Sequence, residues 1–262
     1  MRAEIGIIGG TGFYDPQLFK RGTEIRVDTP DGPPSDAIVI GELNGKEVAF
    51  LPRHGKKHTI RPSDVNSRAN IHALMDLGVK RILAPSTVGS LKEEYRPGDL
   101  VFVDQFIDRT TRREESFYTG PKVCHISVAE PTCPELRKIL ANVAEKMKIR
   151  HHKTGTYVCI EGPRFSTKAE SRMFRSWGAD IVGMTLVPEC VLAREAEICY
   201  ASIATVTDYD VWKDHHPVSA GEVARTMRIN VEKVKTLVVE TVAEIPKERN
   251  CECKDALKSA MV

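Results

Sequence analysis

The sequence has no excess charge of either sign: 38 basic residues stand against 36 acidic ones, a net of +2 over 262 residues. So weak a field gives the chain as a whole no reason to seek nucleic acid or a membrane surface. No apolar run approaches the ~18 residues that a membrane-spanning helix needs. The opening MRAEIGIIGGTG lacks a charged leader, a long apolar stretch and a small-residue cleavage site, so no signal peptide is expected and the location is expected to be cytoplasmic. The seven cysteines (Cys124, Cys133, Cys159, Cys190, Cys199, Cys251 and Cys253) include no CxxC pair. Spacing therefore suggests no metal site, and in their apolar runs residues such as Cys159 and Cys190 read as small buried hydrophobes. Internal repeats, Gly/Ser linkers and low-complexity segments are also missing, which argues against a chain of several units.

What is present fits one folded domain. With 41% apolar and 28% charged residues, a chain of this length can bury a sizeable core. Strand-like runs occur at Ala3–Ile8, Ala37–Leu43, Glu47–Leu51, Lys80–Ala84, Asp99–Asp104, Thr156–Ile160, Asp180–Met184 and Cys199–Val206, several of them apolar on both faces, as in the middle of a covered sheet. Helical patterns lie between them. Asn66–Leu77 stops at Gly78; Thr132-Cys-Pro-Glu135 reads as a capping box ahead of a Leu136, Ile139, Leu140, Val143, Met147 face; Thr167-Lys-Ala-Glu170 and Ser219-Ala-Gly-Glu222 repeat the box. The last opens a long helix striped by Val223, Met227, Val231, Val234, Val238 and Val242. The expected fold is α/β: a single domain, 1–262, with a mixed central β-sheet flanked by helices, a long C-terminal helix and a short tail, 246–262.

Four segments carry candidate chemistry. Gly6-Ile-Ile-Gly9-Gly10-Thr11-Gly12 runs a strand into a glycine turn, where bare backbone can approach an anion and Thr11 adds a hydroxyl. Its spacing, followed by Tyr14-Asp-Pro-Gln, does not fit a dinucleotide fingerprint, and an ordinary tight turn is the competing reading. Leu51-Pro-Arg53-His54-Gly55-Lys56-Lys57-His58 ends a strand in cations; Arg beside His suits a phosphate dianion, while Lys56, Lys57 and His58 read as solvated. No aromatics interleave there, which disfavours a nucleic-acid patch. Ala84-Pro-Ser86-Thr87-Val88-Gly89-Ser90 reads as a third strand entering a hydroxyl- and glycine-bearing turn. Thr207-Asp208-Tyr209-Asp210 places two carboxylates just after a strand, without the third ligand that a metal would want; a solvated turn is the plain alternative to a heterocycle contact.

Taken in order, GGTG, LPRHG, STVGSL, IEGPRFST, GMTLVPE and TDYD resemble the methylthioadenosine phosphorylase branch of the trimeric purine nucleoside phosphorylase family, over nearly the whole chain. The resemblance implies an enzyme of the nucleoside phosphorylase fold, a pentosyltransferase of purine and methionine salvage. It would act on a small-molecule nucleoside and inorganic phosphate, with no cofactor and no metal. A homotrimer or a dimer of trimers is implied as well. The phosphate site would comprise Thr11, Arg53, His54, Ser86, Thr87 and Thr185. Met184 would pack on the ribose, Phe165 near the base, and Ser166, Asp208, Tyr209 and Asp210 would form the purine pocket, with Asp208 catalytic. A broader purine nucleoside phosphorylase acting on adenosine, inosine or guanosine is the alternative; relatives with that preference carry asparagine at the position of Asp208. A hydrolytic nucleosidase and a non-catalytic binding protein are further rivals, both disfavoured by the combined phosphate set and acid.

Three departures stand out. Thr87 replaces a usual alanine. Ala220 stands where a larger aliphatic often faces the 5′ substituent, with a length difference near Pro217. The Cys251-Glu-Cys253 tail is like that of heat-loving archaeal members, in which pairing of Cys133 with Cys199 and of Cys251 with Cys253 would be implied; the latter loop is short, hence strained and easily reduced.

Overall fold

A computed structural model describes residues 2–10, 19–213 and 219–262. Thr11, Tyr14 and Pro217 lie outside them. Eleven described strands form one mixed sheet: β1 (Ile5–Gly9), β2 (Lys20–Ile25), β3 (Ile38–Leu43), β4 (Lys46–Pro52), β5 (Arg81–Ser90), β6 (Leu100–Phe102), β7 (Gln105–Arg109), β8 (His151–His152), β9 (Thr156–Ile160), β10 (Ile181–Gly183) and β11 (Cys199–Asp208). The helices are α1 (Ser67–Asp76), α2 (Pro134–Lys146), α3 (Lys168–Ser176), α4 (Leu186–Glu195) and α5 (Ala220–Glu244). The expected α/β architecture with a long last helix is what the chain adopts.

The sheet's centre is the parallel group β4-β1-β5-β11. Its strands alternate their side chains between two buried faces, which is why the sequence shows them as unbroken apolar runs. Ile8, Ile40, Leu51, Ile82 and Ala84 point to one face, with Leu74 of α1 and Leu192 of α4. Ile7, Val39, Phe50, Leu83 and Ile203 point to the other, with Leu140 of α2 and Val238 of α5.

Several elements differ from expectation for identifiable reasons. Segment 81–90 is strand throughout, not a turn after Ala84, because β5 is paired on both sides: β11 accompanies it to Gly89, and β10 joins antiparallel at Gly89 and Ser90. Ser86 and Thr87 therefore sit on a rigid strand. The run Asp99–Asp104 splits, with only Leu100–Phe102 in β6. β2 is exposed along nearly its whole length and β7 is half-exposed, so neither carried an apolar signature. α4 is buried almost all round, so it had no polar face to reveal a helical period. Thr132 does not cap α2: its hydroxyl donates to the Val103 carbonyl at 2.7 Å, and Cys133, without a side-chain cap bond, is the N-cap ahead of Pro134. The Thr167–Glu170 box forms reciprocally, and Ser219 accepts from the Glu222 amide. Among the described residues no helix is long and apolar enough to cross a membrane.

Candidate active site

The carboxyl ends of β1, β4 and β11 converge with the middle of β5, the place where open α/β sheets bind ligands. Gly9 pairs with Pro52, and the Arg53 amide donates to the Gly9 carbonyl at 2.9 Å, so Arg53 is fixed beside the start of the glycine turn. A cleft of about 660 Å³, counted out to solvent, is lined by Gly10, Arg53, His54, Ser86, Thr87 and Thr185. Five of the six residues expected to hold phosphate thus share one cavity; the sixth, Thr11, is outside the described residues.

Arg53 is 2% exposed and held by more than its strand. Its Nε and Nη2 grip the Glu189 carboxylate, with Nη2 to Oε2 at 3.0 Å, while Nη1 donates to the Pro85 carbonyl at 3.0 Å and Nη2 to that of Ile8 at 3.1 Å. Four of its five N–H groups are so engaged, leaving one on Nη1. Burial opposes the charge, but the facing Glu189 carboxylate more than compensates, and the guanidinium's pKa lies above its ordinary value. Tyr200 donates to Glu189 Oε2 at 2.9 Å, completing the support. Glu189 lies in the GMTLVPE segment with no expected role; an acid flanked by apolar residues was the available signal.

His54 departs from the expected cationic partner of a dianion. Its Nδ1 lies 3.0 Å from the Ile60 carbonyl, so Nδ1 carries the proton and Nε2 is left as an acceptor. Burial, then the charge of Arg53, pushes its pKa down to about 4. The ring is therefore neutral at pH 7 and offers an acceptor for a protonated phosphate oxygen. His58, read as solvated, lines the cleft and stacks tilted on His54 at 4.8 Å. Thr205 on β11 and Met227, Asn230, Val231 and Val234 on α5 line it as well. Their signal was periodic, since three of those four α5 residues belong to the apolar stripe that elsewhere on the helix packs into the core, and Asn230 adjoins it.

The carboxylates sit farther along the same strands. In the β5–β11 register Ser86 faces Ala204, Thr87 faces Thr205, and Asp208 faces Gly89. A Cβ on Gly89 would stand 2.9 Å from Asp208 Oδ1 and 3.3 Å from the Asp210 Cβ, so glycine is what lets the acids close onto β5. Asp208 accepts from the Thr207 hydroxyl at 2.7 Å and the Asp210 amide at 2.8 Å; Asp210 adopts a left-handed φ of 49° to make that turn. Burial raises the pKa of both carboxyls, overcoming those donors at Asp208. Ser86 Oγ is buried with no hydrogen-bond partner, while Ser166 Oγ and Asp210 Oδ2 lack a well-formed bond although the Ser166 and Ser171 hydroxyls lie close enough to the Asp210 carboxyl to favour its ionised form. Orphaned polar atoms at both ends of the site are what a polar ligand would satisfy.

Met184 is half-buried and packs on Gly162, where a Cβ would meet its sulfur at 2.5 Å. Phe165 stays 38% exposed, and Ala220 is exposed at the start of α5, next to undescribed residues. Tyr209 turns toward Trp212, 5.9 Å edge-on, and Lys213, whose Nζ is 4.0 Å over its ring. Of the residues expected around the ribose and base, Phe165, Ser166, Met184, Asp208, Tyr209, Asp210 and Ala220 all lie outside the lining of that cleft. All seven cysteines are free thiols, so the Cys133–Cys199 and Cys251–Cys253 bonds implied by the resemblance are not formed. Instead the four sulfurs crowd together, and Cys199 lies 3.3 Å from Cys251.

A mixed sheet with an anion cradle and a carboxylate pair on adjoining strands defines a nucleoside-phosphorylase type of site. The chain belongs to the Phosphorylase superfamily, whose sequence profile matches residues 4–243. It is 56% identical over 261 residues to an S-methyl-5'-thioadenosine phosphorylase of Thermofilum pendens, covering 100% of this chain and 99% of that one. It is 57% identical over 259 residues to that of Pyrococcus horikoshii, covering 99% of each. Methylthioadenosine phosphorylase from Schistosoma mansoni in complex with adenine superposes with a TM-score of 0.93 at 43% identity, over 98% of this chain and 97% of that one.

Proposed function

We propose that this protein catalyses the phosphorolysis of 5′-methylthioadenosine to adenine and 5-methylthioribose 1-phosphate. The observation that carries the reading is the β5–β11 register. It sets the hydroxyl-lined end (Ser86, Thr87) two to three residues from the carboxylate Asp208, roughly 7–10 Å at the rise of a strand. That span suits a ligand with an anion at one end and a heterocycle at the other.

In this mechanism the remaining Nη1–H of Arg53, with Ser86, Thr87, Thr185 and Thr11, positions inorganic phosphate beneath C1′, and the neutral His54 accepts a phosphate O–H. The C1′–N9 bond breaks as positive charge grows on the ribose; a phosphate oxygen then bonds to C1′. The electron pair leaves with the purine, and protonated Asp208 delivers a proton to N7. Such general-acid help is typically worth about 10²–10⁴ in rate. The raised pKa of Asp208 supplies the protonated fraction, and its carboxyl suits a 6-amino purine better than a 6-oxo one. Met184 would lie against the ribose, Phe165, Ser166, Tyr209 and Asp210 around the base, and Ala220 near the 5′ substituent. No cofactor is required, and the chain is proposed to work as a homotrimer or a dimer of trimers in the cytoplasm, serving purine and methionine salvage. The test is release of free base from methylthioadenosine, adenosine, methylthioinosine and inosine, with and without phosphate or arsenate. Phosphate-dependent release fastest from methylthioadenosine is expected. Full turnover without phosphate would identify a hydrolase instead.

A further inference from the structure

We infer that a second oxyanion site, for inorganic phosphate or the phosphate of a small monoester, lies at the end of the sheet opposite the cleft, where Arg81 meets the segment after α5. β1, β4 and β5 all begin there, with Ile5 opposite Arg81 in the register and Lys46 opening β4. Together with Ile245 and Lys247 these residues line a hollow of about 850 Å³, counted out to solvent. Arg81 and Ser86 lie five residues apart on β5, roughly 17 Å at the rise of a strand, so the hollow is separate from the cleft.

Arg81 is what points to a ligand. It is 1% exposed, as deeply buried as Arg53, yet the two guanidinium groups are held differently. Arg53 faces the Glu189 carboxylate, whereas Arg81 has no ion pair among the described residues. A guanidinium carries five N–H groups. Both of those on Arg81 Nη2 go to the tail, reaching the Glu248 carbonyl at 2.8 Å and the Lys247 carbonyl at 3.3 Å. Nε is buried with no acceptor, and Nη1 has none among the described residues. Buried charges are normally paired and buried donors normally bonded. An oxyanion in the hollow would satisfy both rules at once.

The rest of the wall favours the same occupant. Lys46 Nζ donates to the carbonyls of Val242 at 2.8 Å and Ala243 at 2.9 Å, and to that of Ile245. The carbonyl end of α5 is thereby capped, so its negative pole is shielded from an incoming anion. Burial, then the charge of Arg81, lowers the pKa of Lys46, with Glu244 opposing; two cations stand close together here. Lys247 adds a third on the exposed lip. Two acids also line the hollow, but Glu4 is bonded to Lys80 Nζ at 3.1 Å and Glu47 lies exposed at the rim. Three cations against one acid without an ion pair leave the hollow positive. Ile5 and Ile245 are buried beneath it, and an apolar floor strengthens a contact between guanidinium and phosphate. Arg81 and Lys247 would hold the anion directly, with Lys46 acting through its charge. The bound ion would fasten the start of the tail to the sheet.

The test is equilibrium dialysis of the full chain, first freed of phosphate and sulfate, against radiolabelled phosphate. Two classes of site are expected, and Ser86→Ala should weaken only that of the cleft. Arg81→Met should abolish the other class. Lys247→Glu, an exposed change, should weaken it by about threefold or more, since one favourable charge is replaced by an unfavourable one. Should Arg81→Met fail to fold, Lys247→Glu decides the matter alone. Competition separates the two sources of the anion. Ribose 5-phosphate displacing this label better than sulfate does would assign the site to a monoester, and the reverse order to the free ion. A single class of sites that neither Arg81→Met nor Lys247→Glu alters would overturn the proposal. So would two classes that are both indifferent to these changes.

Discussion

In the proposed reading, the phosphate end and the purine end of the site are built on opposite electrostatic plans. At the phosphate end the charge is fixed: Arg53 is ionised by a buried carboxylate and locked by four hydrogen bonds, while burial keeps His54 neutral. At the purine end the charge is adjustable, because burial raises the pKa of Asp208 and Asp210 toward conditions where a proton is shared out. A nucleophile must be held without variation, whereas a leaving group needs a proton delivered on demand. The contrast explains why the first end is braced from α4 through Glu189 and the second is left to a tight turn against Gly89.

The comparison breaks most severely at Arg53. Arg53→Ala removes the phosphate's cation and strands Glu189, 1% exposed, without its partner. Removing one member of a buried pair costs about 3–5 kcal/mol. Urea denaturation should show that loss, together with a large rise in the KM for phosphate and little change in the KM for nucleoside. Glu189→Gln, which keeps a hydrogen-bonding shape, should lose less stability yet still raise the phosphate KM, because the guanidinium is then less firmly aimed. An unchanged phosphate KM in both variants would remove Arg53 from the site.

At the other end Asp208→Asn cannot deliver a proton, and kcat/KM for adenine nucleosides should fall by about 10²–10⁴. Inosine should suffer less, since an amide can donate to a 6-oxo oxygen where a carboxylate meets it lone pair to lone pair. The wild-type rate should decline as pH rises through the elevated pKa of Asp208, and the variant should lose that decline. An unchanged ratio of methylthioadenosine to inosine would reduce Asp208 to a turn residue.

How much of this was legible in the sequence follows the same division. The central strands showed as apolar runs because both their faces are covered, and glycine, hydroxyl and cation residues at their ends marked the anion cradle. What the sequence hid was whatever depended on partners far along the chain. Ser86 and Thr87 looked like turn residues because the two-sided pairing of β5 is a property of the sheet, not of the segment. Glu189 looked like one acid in a helix, and its meaning appears only against Arg53, 136 residues away. His54 read as a cation because composition does not report burial. The clustered cysteines are a further case: only Cys251 and Cys253 are neighbours in sequence, and their meeting with Cys133 and Cys199 is a property of the fold.

A smaller effect sharpens the fixed end. His54 has its pKa depressed from 6.5 to about 4, so the unfolded chain takes up a proton that the folded chain refuses in that interval. Its stabilising contribution is complete above pH 6.5 and is lost as pH falls through about 4, amounting to at most roughly 3 kcal/mol. Denaturation midpoints followed from pH 7 to pH 4 should fall, and His54→Gln should flatten part of that slope. A slope identical in the variant would mean that His54 titrates freely.

The finest distinction between the two ends lies in the orphaned hydroxyls. Ser86 Oγ is buried without a partner and Ser166 Oγ makes only a loose contact with the Asp210 carboxyl, so neither adds much to the stability of the empty protein through hydrogen bonding. Truncation of Ser86 to alanine therefore should leave the melting temperature unchanged or slightly raised, because an unsatisfied buried hydroxyl is removed at no loss of a bond, and truncation of Ser166 should lower it little. Each change should instead be felt when a ligand arrives, and by different ligands. A neutral hydrogen bond is worth about 0.5–1.5 kcal/mol, or about 2–13-fold in binding. Ser86→Ala should raise the KM for phosphate by that factor and spare the nucleoside; Ser166→Ala should do the reverse. Steady-state kinetics with each substrate varied in turn separates the outcomes. If both changes move the same KM, the cleft does not divide into an anion end and a purine end, and the division drawn from the β5–β11 register is wrong.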